Sequence, residues 1–312
     1  IFYLFLLISV SYHFLMKVLR TPSECFDNLK DYSFQENFIN IEVGEGVTAR
    51  MHYVDENSES SDVVLLLHGE PTWSYLYRHM IPILAKAGKR VIAPDLIGFG
   101  KSDKLSERTD YTYKRHVTWT KNIIDQLNLS NITLFAQDWG GLIGMRLVAD
   151  MPDAFNGMVL SNTGLFIGKG SSEGFESWKN FCQTVEKFNS GRVVFGGCVS
   201  KIDEDETAAY NAPFPDDSYT ACARHFPTLV PVNPDNVAVQ DNIDAWEKLK
   251  KFDKPTLTLF GSEDKIFLGG EKILQKLIPG AQNMDHKLIN AGHFSQEDQP
   301  EELAKGIINL FN

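Results

Sequence analysis

Metal chemistry has little to work with in this chain, because its histidines and acidic residues never gather at ligand spacing. Neither a resident metal nor a cofactor is expected. Cysteine is scarce. Cys25, Cys182, Cys198 and Cys222 form no Cys-x-x-Cys pair, which argues against a zinc ribbon, a thioredoxin-type redox motif or a disulfide framework. They read instead as small buried apolar residues. Positive charge is in deficit, with 30 Lys and Arg against 41 Asp and Glu and a net charge of −11, so nucleic acid and anionic membranes are disfavoured as partners. Internal repeats, low-complexity tracts and an obvious interdomain linker are also missing. The apolar stretch from Ile1 to Leu15 is too short to span a bilayer comfortably. It lacks a starting Met, a preceding basic region and a convincing small-residue cleavage site. The expectation is a cytoplasmic protein that starts at Met16, with residues 1–15 outside the fold; export or membrane anchoring is the alternative if they are genuine.

What the chain does have is strands alternating with helical patterns, which implies a mostly parallel sheet covered on both faces. Asn131 to Ala136 reads as a buried strand, and Gln137-Asp138-Trp139-Gly140-Gly141 then turns into a helix. Ala136 and Gly140 flank Asp138 in a small-x-nucleophile-x-small pattern, as a strained strand-to-helix turn requires. An aspartate placed there attacks sp³ carbon and gives an alkyl ester that water can cleave, so dehalogenation and epoxide opening are the candidate reactions. A solvated aspartate favoured by a helix dipole is the plainer alternative.

Three further segments bear on the choice. Val63 to Leu67 ends in His68-Gly69-Glu70-Pro71, where the backbone amide of Glu70 would join that of Trp139 in an oxyanion hole. Thr256 to Phe260 delivers Gly261-Ser262-Glu263-Asp264-Lys265, and Leu288 to Phe294 carries His293 ahead of a last helix, Pro300 to Phe311. Nucleophile, acid, histidine is the chain order of an α/β-hydrolase triad. His293 is therefore the candidate general base and Asp264 the acid that orients it, with Glu263 as the rival acid. Arg90 to Ala93 leads into Pro94–Asp103, a Gly-rich loop without phosphate-cradle spacing that reads as a connecting turn. Tyr113 to Leu127 and Gly141 to Met151 are the clearest helices. Between about Leu160 and Val230 the strand signals stop, so the expected organisation is a core over residues 16–159, a helical cap over 160–229 and the rest of the core over 230–312.

His-Gly-Glu-Pro-Thr-Trp at 68–73, Gln-Asp-Trp-Gly-Gly at 137–141, Gly-Ser-Glu-Asp-Lys at 261–265 and Ala-Gly-His-Phe at 291–294 resemble the haloalkane dehalogenases, in particular the subfamily typified by the Xanthobacter enzyme. The likeness runs from Met16 to the C-terminus. It implies an α/β-hydrolase fold with an inserted cap. It also implies two indole N–H groups aimed at the departing halide, from Trp139 and from the cap residue Trp178, which lies in Gly174-Phe175-Glu176-Ser177-Trp178-Lys179. Other subfamilies use an Asn where this chain has Glu70. The resemblance further suggests an apolar pocket lined by Phe175, Phe226, Pro227, Val230, Ile266 and Phe267. Epoxide hydrolases share Asp-Trp-Gly-Gly but use cap tyrosines; Tyr210 and Tyr219 lie in the right region and are read here as structural.

The turn after Asp138 holds no Arg until Arg146, which points to an uncharged substrate. The reading is hydrolytic dehalogenation of a small haloalkane by a protein more readily monomeric than oligomeric, with water and halide as its other partners. Epoxide hydrolysis is the enzymatic alternative. A luciferase-like or hydrophobic-ligand-binding relative of the fold is the alternative of a different class.

Overall fold

The computed structural model describes residues 16–311, so the expectation for residues 1–15 lies outside the described residues. In chain order the strands are β1 (Val18–Leu19), β2 (Asn37–Gly44), β3 (Val47–Glu56), β4 (Val63–Leu67), β5 (Arg90–Pro94), β6 (Lys104–Leu105), β7 (Ile132–Gln137), β8 (Phe155–Ser161), β9 (Thr256–Gly261) and β10 (Lys287–Ile289). The helices are α1 (Met80–Lys86), α2 (Tyr113–Gln126), α3 (Trp139–Asp150), α4 (Glu173–Thr184), α5 (Ser190–Gly197), α6 (Glu204–Asn211), α7 (Ala221–Leu229), α8 (Val239–Leu249), α9 (Glu271–Leu277), α10 (Ser295–Asp298) and α11 (Pro300–Ile308).

Every residue of β4, β7 and β9 is buried, which is why these strands read as continuous apolar runs and not as alternating ones. They form the middle of an eight-stranded sheet in the order β10-β9-β8-β7-β4-β5-β3-β2. Only β2 and β3 run antiparallel to their neighbours; from β5 to β10 all pairs are parallel. Register aligns Leu67 with Ala136, Gln137 with Ser161 and Gly261 with Ile289. The loops after β4, β7, β8, β9 and β10 therefore leave from one edge of the sheet, the carboxyl edge where open α/β sheets bind ligands.

Beyond β8 the chain forms α4 to α7 with no strand until β9, and α8 returns to pack on α3. Helix α4 starts where the Ser172 hydroxyl accepts the Phe175 amide at 3.1 Å, and α2 where Thr112 does the same for Arg115. α3 begins at Trp139, two residues before the sequence suggested, and α11 stops at Ile308, short of Phe311. Expecting all four cysteines to be buried was half right: Cys182 and Cys222 are buried, whereas Cys25 and Cys198 are partly exposed, and all four are free thiols. Among the described residues no helix is long and apolar enough to cross a membrane, and no group of three His, Cys, Asp or Glu side chains could hold a metal ion.

One buried charge network clamps the helical insertion to the sheet. Arg78 is almost fully buried and donates to Glu297 of α10 at 2.9 Å and to Glu206 of α6 at 3.1 Å, while its guanidinium lies 4.2 Å over the Tyr75 ring. Tyr210 of α6 donates its hydroxyl to the same Glu297. Removing one partner of such a network strands the others without water. Arg78→Ala should therefore lower unfolding free energy by about 3 kcal/mol or more, measured by urea denaturation.

Candidate active site

Asp138 closes β7 with φ 52° and ψ −127°, a conformation that side chains rarely adopt. The turn is possible because its neighbours are small: a Cβ on Gly140 would sit 1.9 Å from the Leu67 carbonyl oxygen, and one on Gly69 would sit 2.3 Å from the Asp138 carboxylate. Thr163 donates its hydroxyl to the Asp138 carbonyl at 2.7 Å, and the Asp138 amide donates to the Asn162 carbonyl at 3.0 Å. The strain is thus held from both sides of the peptide unit.

The Asp138 carboxylate accepts the Glu70 amide at 2.8 Å and the Trp139 amide as well. These are the two donors expected of the oxyanion hole, and they sit on the nucleophile itself. Burial raises the Asp138 carboxyl above its ordinary range, while His293 and the two amides pull it down. His293 approaches from the loop after β10, with Nε2 3.7 Å from Asp138 Oδ2 and Nδ1 3.3 Å from Asp264 Oδ2. Burial lowers the His293 imidazole, but the Asp264 charge and hydrogen bond, with Asp138 adding to them, leave it raised overall. Asp264 is buried, which would raise it; His293 and the amides of Ile266 and Phe267 hold it below its ordinary value. Glu263 is exposed, and among the described residues its carboxylate accepts only the neighbouring Ser262 hydroxyl.

Two residues that carry no role in the sequence reading complete this arrangement. Gln137 Nε2 donates to the His293 carbonyl at 3.1 Å and lies 3.0 Å from His293 Nε2. The carbonyl demands a donor, so the amide nitrogen faces the ring and Nε2 must present its lone pair. That places the imidazole proton on Nδ1, toward Asp264, the tautomer a general base needs. Asn162, at the end of β8, donates to the Gly292 and His293 carbonyls at 2.8 and 2.9 Å and accepts the Gly261 amide at 2.8 Å. An Asn after a strand reads only as a turn residue, and a Gln beside the nucleophile as part of a motif, so neither signalled its contacts.

Above Asp138 lies a cavity of about 560 Å³ between the sheet edge and the inserted helices. Phe175, Pro227, Val230, Ile266 and Phe267 line it, as do Glu70, Trp139, Trp178 and His293. Phe226 is a correction: it is fully buried behind Trp139, with ring centroids 4.4 Å apart, and backs the wall without lining it. Leu142, Phe166, Phe181 and Phe294 are lining residues that the sequence reading did not pick. Trp139 is buried at the cavity wall, and its indole N–H has no hydrogen-bond partner among the described residues. Trp178 stands partly exposed on α4 and gives its N–H to Glu70 Oε2 at 2.9 Å. Arg146 is turned away and pairs with Asp241 and Asn242 at 3.0 and 3.1 Å.

A carboxylate on a strained elbow after a central strand, with a second carboxylate and a histidine arriving at the same sheet edge, is the arrangement of an α/β hydrolase. In agreement, the alpha/beta hydrolase fold family matches residues 62–300. A haloalkane dehalogenase of Psychrobacter cryohalolentis is 51% identical over 95% of this chain and 99% of its own length. One of Mycobacterium marinum is 46% identical over 94% of this chain and 99% of its own length. The haloalkane dehalogenase of Paraglaciecola agarilytica NO2, solved as a tetramer, superposes with a TM-score of 0.88 at 35% identity, covering 95% of this chain and 99% of the other. The chain belongs to the haloalkane dehalogenase family.

Because two carboxylates hold the His293 imidazole up, removing either should lower its pKa. Asp264→Ala is expected to lower it further than Asp138→Ala, since Asp264 supplies both a charge and a hydrogen bond. Imidazole titration followed by NMR checks this; an unchanged His293 pKa in Asp264→Ala would refute the pairing.

Proposed function

We propose that this protein hydrolyses the carbon–halogen bond of small, uncharged haloalkanes to an alcohol, a halide and a proton. The observation that carries the reading is the Asp138 carboxylate, gripped by two backbone amides beneath an apolar cavity whose wall presents the unpartnered Trp139 indole N–H. An Asp138 oxygen displaces halide in line, and the carbon–halogen electron pair leaves with the anion. Trp139 donates to that anion, and Trp178 joins by sharing the N–H it now gives to Glu70. Water then attacks the ester carboxyl carbon while His293 Nε2 takes its proton, and the Glu70 and Trp139 amides hold the resulting oxyanion. Collapse expels the alkoxide, which leaves as the alcohol, and restores Asp138 with one water oxygen in its carboxylate.

Loss of the Asp138 charge on alkylation has a useful sign. One of the influences that raise His293 disappears in the ester, so the imidazole is more readily neutral at the moment it must act as base. We assign α4 to α7 to a cap that shields this chemistry, with core on either side of it. Subfamily membership with the Xanthobacter enzyme rests on the motif resemblance, on Glu70 where other subfamilies use Asn, and on the cap tryptophan Trp178. A monomer was expected from the sequence, but the tetramer of the Paraglaciecola relative weighs against carrying that preference over.

The tyrosines an epoxide hydrolase would need are engaged elsewhere. Tyr210 is buried and donates to Glu297; Tyr219 reaches the Arg20 carbonyl at 3.5 Å, and neither lines the cavity. Purified protein should therefore release halide from 1,2-dibromoethane or 1-chlorobutane and form no diol from styrene oxide, with Asp138→Ala inactive in both assays. His293→Gln should slow turnover by a factor on the order of a thousand and accumulate a substrate-derived mass on Asp138, visible by mass spectrometry. Diol without halide would sink the reading.

A further inference from the structure

Glu70 is expected at this site only for its backbone amide, yet its side chain is set in an unusual position. It is 3% exposed and forms part of the cavity wall. Oε2 accepts the Trp178 indole N–H at 2.9 Å, while Oε1 is buried without any hydrogen-bond partner. A buried carboxylate oxygen without a donor is costly, because it gives up water and receives nothing in return. The nearest charge makes matters worse: the Glu70 backbone is itself bound to the Asp138 carboxylate, so two anions would share one apolar pocket. Halide produced there would face both.

We infer that the Glu70 side chain is a neutral carboxylic acid that takes the Trp178 N–H on Oε2 and turns its own O–H, at Oε1, toward the halide displaced at Asp138. It then acts as a halide donor beside Trp139 while holding Trp178 in place. Burial raises the Glu70 carboxyl well above its ordinary range, Asp138 raises it further, and only the Trp178 hydrogen bond opposes them. Lys187 and Arg192 line the same cavity but are exposed to water, and neither is among the charge interactions at Glu70. Cys182 on α4 and Cys222 on α7 are thiols that burial pushes up, so they stay neutral, and His293 lies with Asp138. One proton thus removes the clash with Asp138 and converts a repulsive wall into a donor, for which the displaced halide is the missing acceptor.

This inference rests on halide being the leaving group, but bromide binding to the resting protein tests it apart from turnover. Bromide affinity, read by tryptophan fluorescence, is followed as the pH is raised from neutral into the alkaline range, because a buried carboxyl ionises above its ordinary pKa. Wild-type protein should weaken on the alkaline side by about tenfold for each pH unit above the Glu70 pKa, and Glu70→Gln should lack that step. An equal alkaline loss in both would place the titration on His293 and overturn the inference. Should Glu70→Gln fail to fold, the bromide-minus-free infrared difference spectrum of the wild type decides. A protonated-carboxyl carbonyl band that bromide shifts is expected; its absence would refute the neutral acid. A protein that binds bromide with this signature but releases none from 1,2-dibromoethane would overturn the proposed function and leave this inference standing. One that turns over without the signature would do the reverse.

Discussion

The 2.8 Å hydrogen bond from the Glu70 amide to the Asp138 carboxylate is the contact around which the site is built. It joins the ends of two adjacent parallel strands, and it forms only because β4 and β7 stop in register, with Leu67 opposite Ala136. Close approach is allowed because Gly69 and Gly140 have no Cβ, since either would overlap the partner segment. On the proposed mechanism, the same contact sets an oxyanion donor on the nucleophile before reaction. Donors fixed in advance need no reorganisation when charge appears, which is where their catalytic worth lies.

The loop that presents Glu70 is itself anchored by buried charge. Asp95, at the end of β5, accepts the Ser74 amide at 2.7 Å, the Lys101 amide at 2.8 Å and His52 Nδ1 at 2.8 Å. Burial alone would raise this carboxyl, but His52, His68 and the Ser74 amide hold it at about 2, so it is ionised at neutral pH. His68 adds a second tie, donating from Nδ1 to the Gly69 carbonyl and accepting the Leu96 amide at Nε2. Burial lowers its pKa, which suits a neutral imidazole that must donate at one nitrogen and accept at the other. The Gly-rich segment after β5 is thus more than a connection: it fixes the loop that carries the oxyanion amide.

Much of the catalytic framework was legible in the chain because each part had a local signature. Asp138 stood between small residues after an apolar strand, and Asp264 and His293 followed in an order that few other arrangements produce. The choice of Asp264 over Glu263 was not available locally, since two adjacent carboxylates look alike until the turn after β9 buries one and exposes the other. Phe226 was misplaced for a related reason. The family resemblance that suggested it places an aromatic ring near the site, but does not tell whether that ring faces the cavity or the back of Trp139. The β2–β3 ribbon also passed unread, because its half-exposed alternation is weaker than the continuous apolar signal of β4 and β7. Gln137 and Asn162 depend on contacts across more than 95 residues, which no local pattern encodes.

Halide must be held firmly enough to leave carbon and loosely enough to leave the protein. A lysine or arginine in an apolar cavity would meet the first demand and fail the second, because a desolvated ion pair between cation and halide is strong. Here the two indole donors are neutral, an N–H without a partner among the described residues at Trp139 and another at Trp178 tied to Glu70; Lys187 and Arg192 also line the cavity but are exposed, and Arg146 is turned away into its own ion pair. A negative Asp138 in the resting state and a neutral ester after attack reinforce the balance. In the proposed reaction halide is held more firmly while Asp138 is alkylated than after hydrolysis restores the carboxylate, when like charge favours its departure. On the proposed mechanism, the same electrostatic cycle that frees His293 to act as base therefore also clears the product.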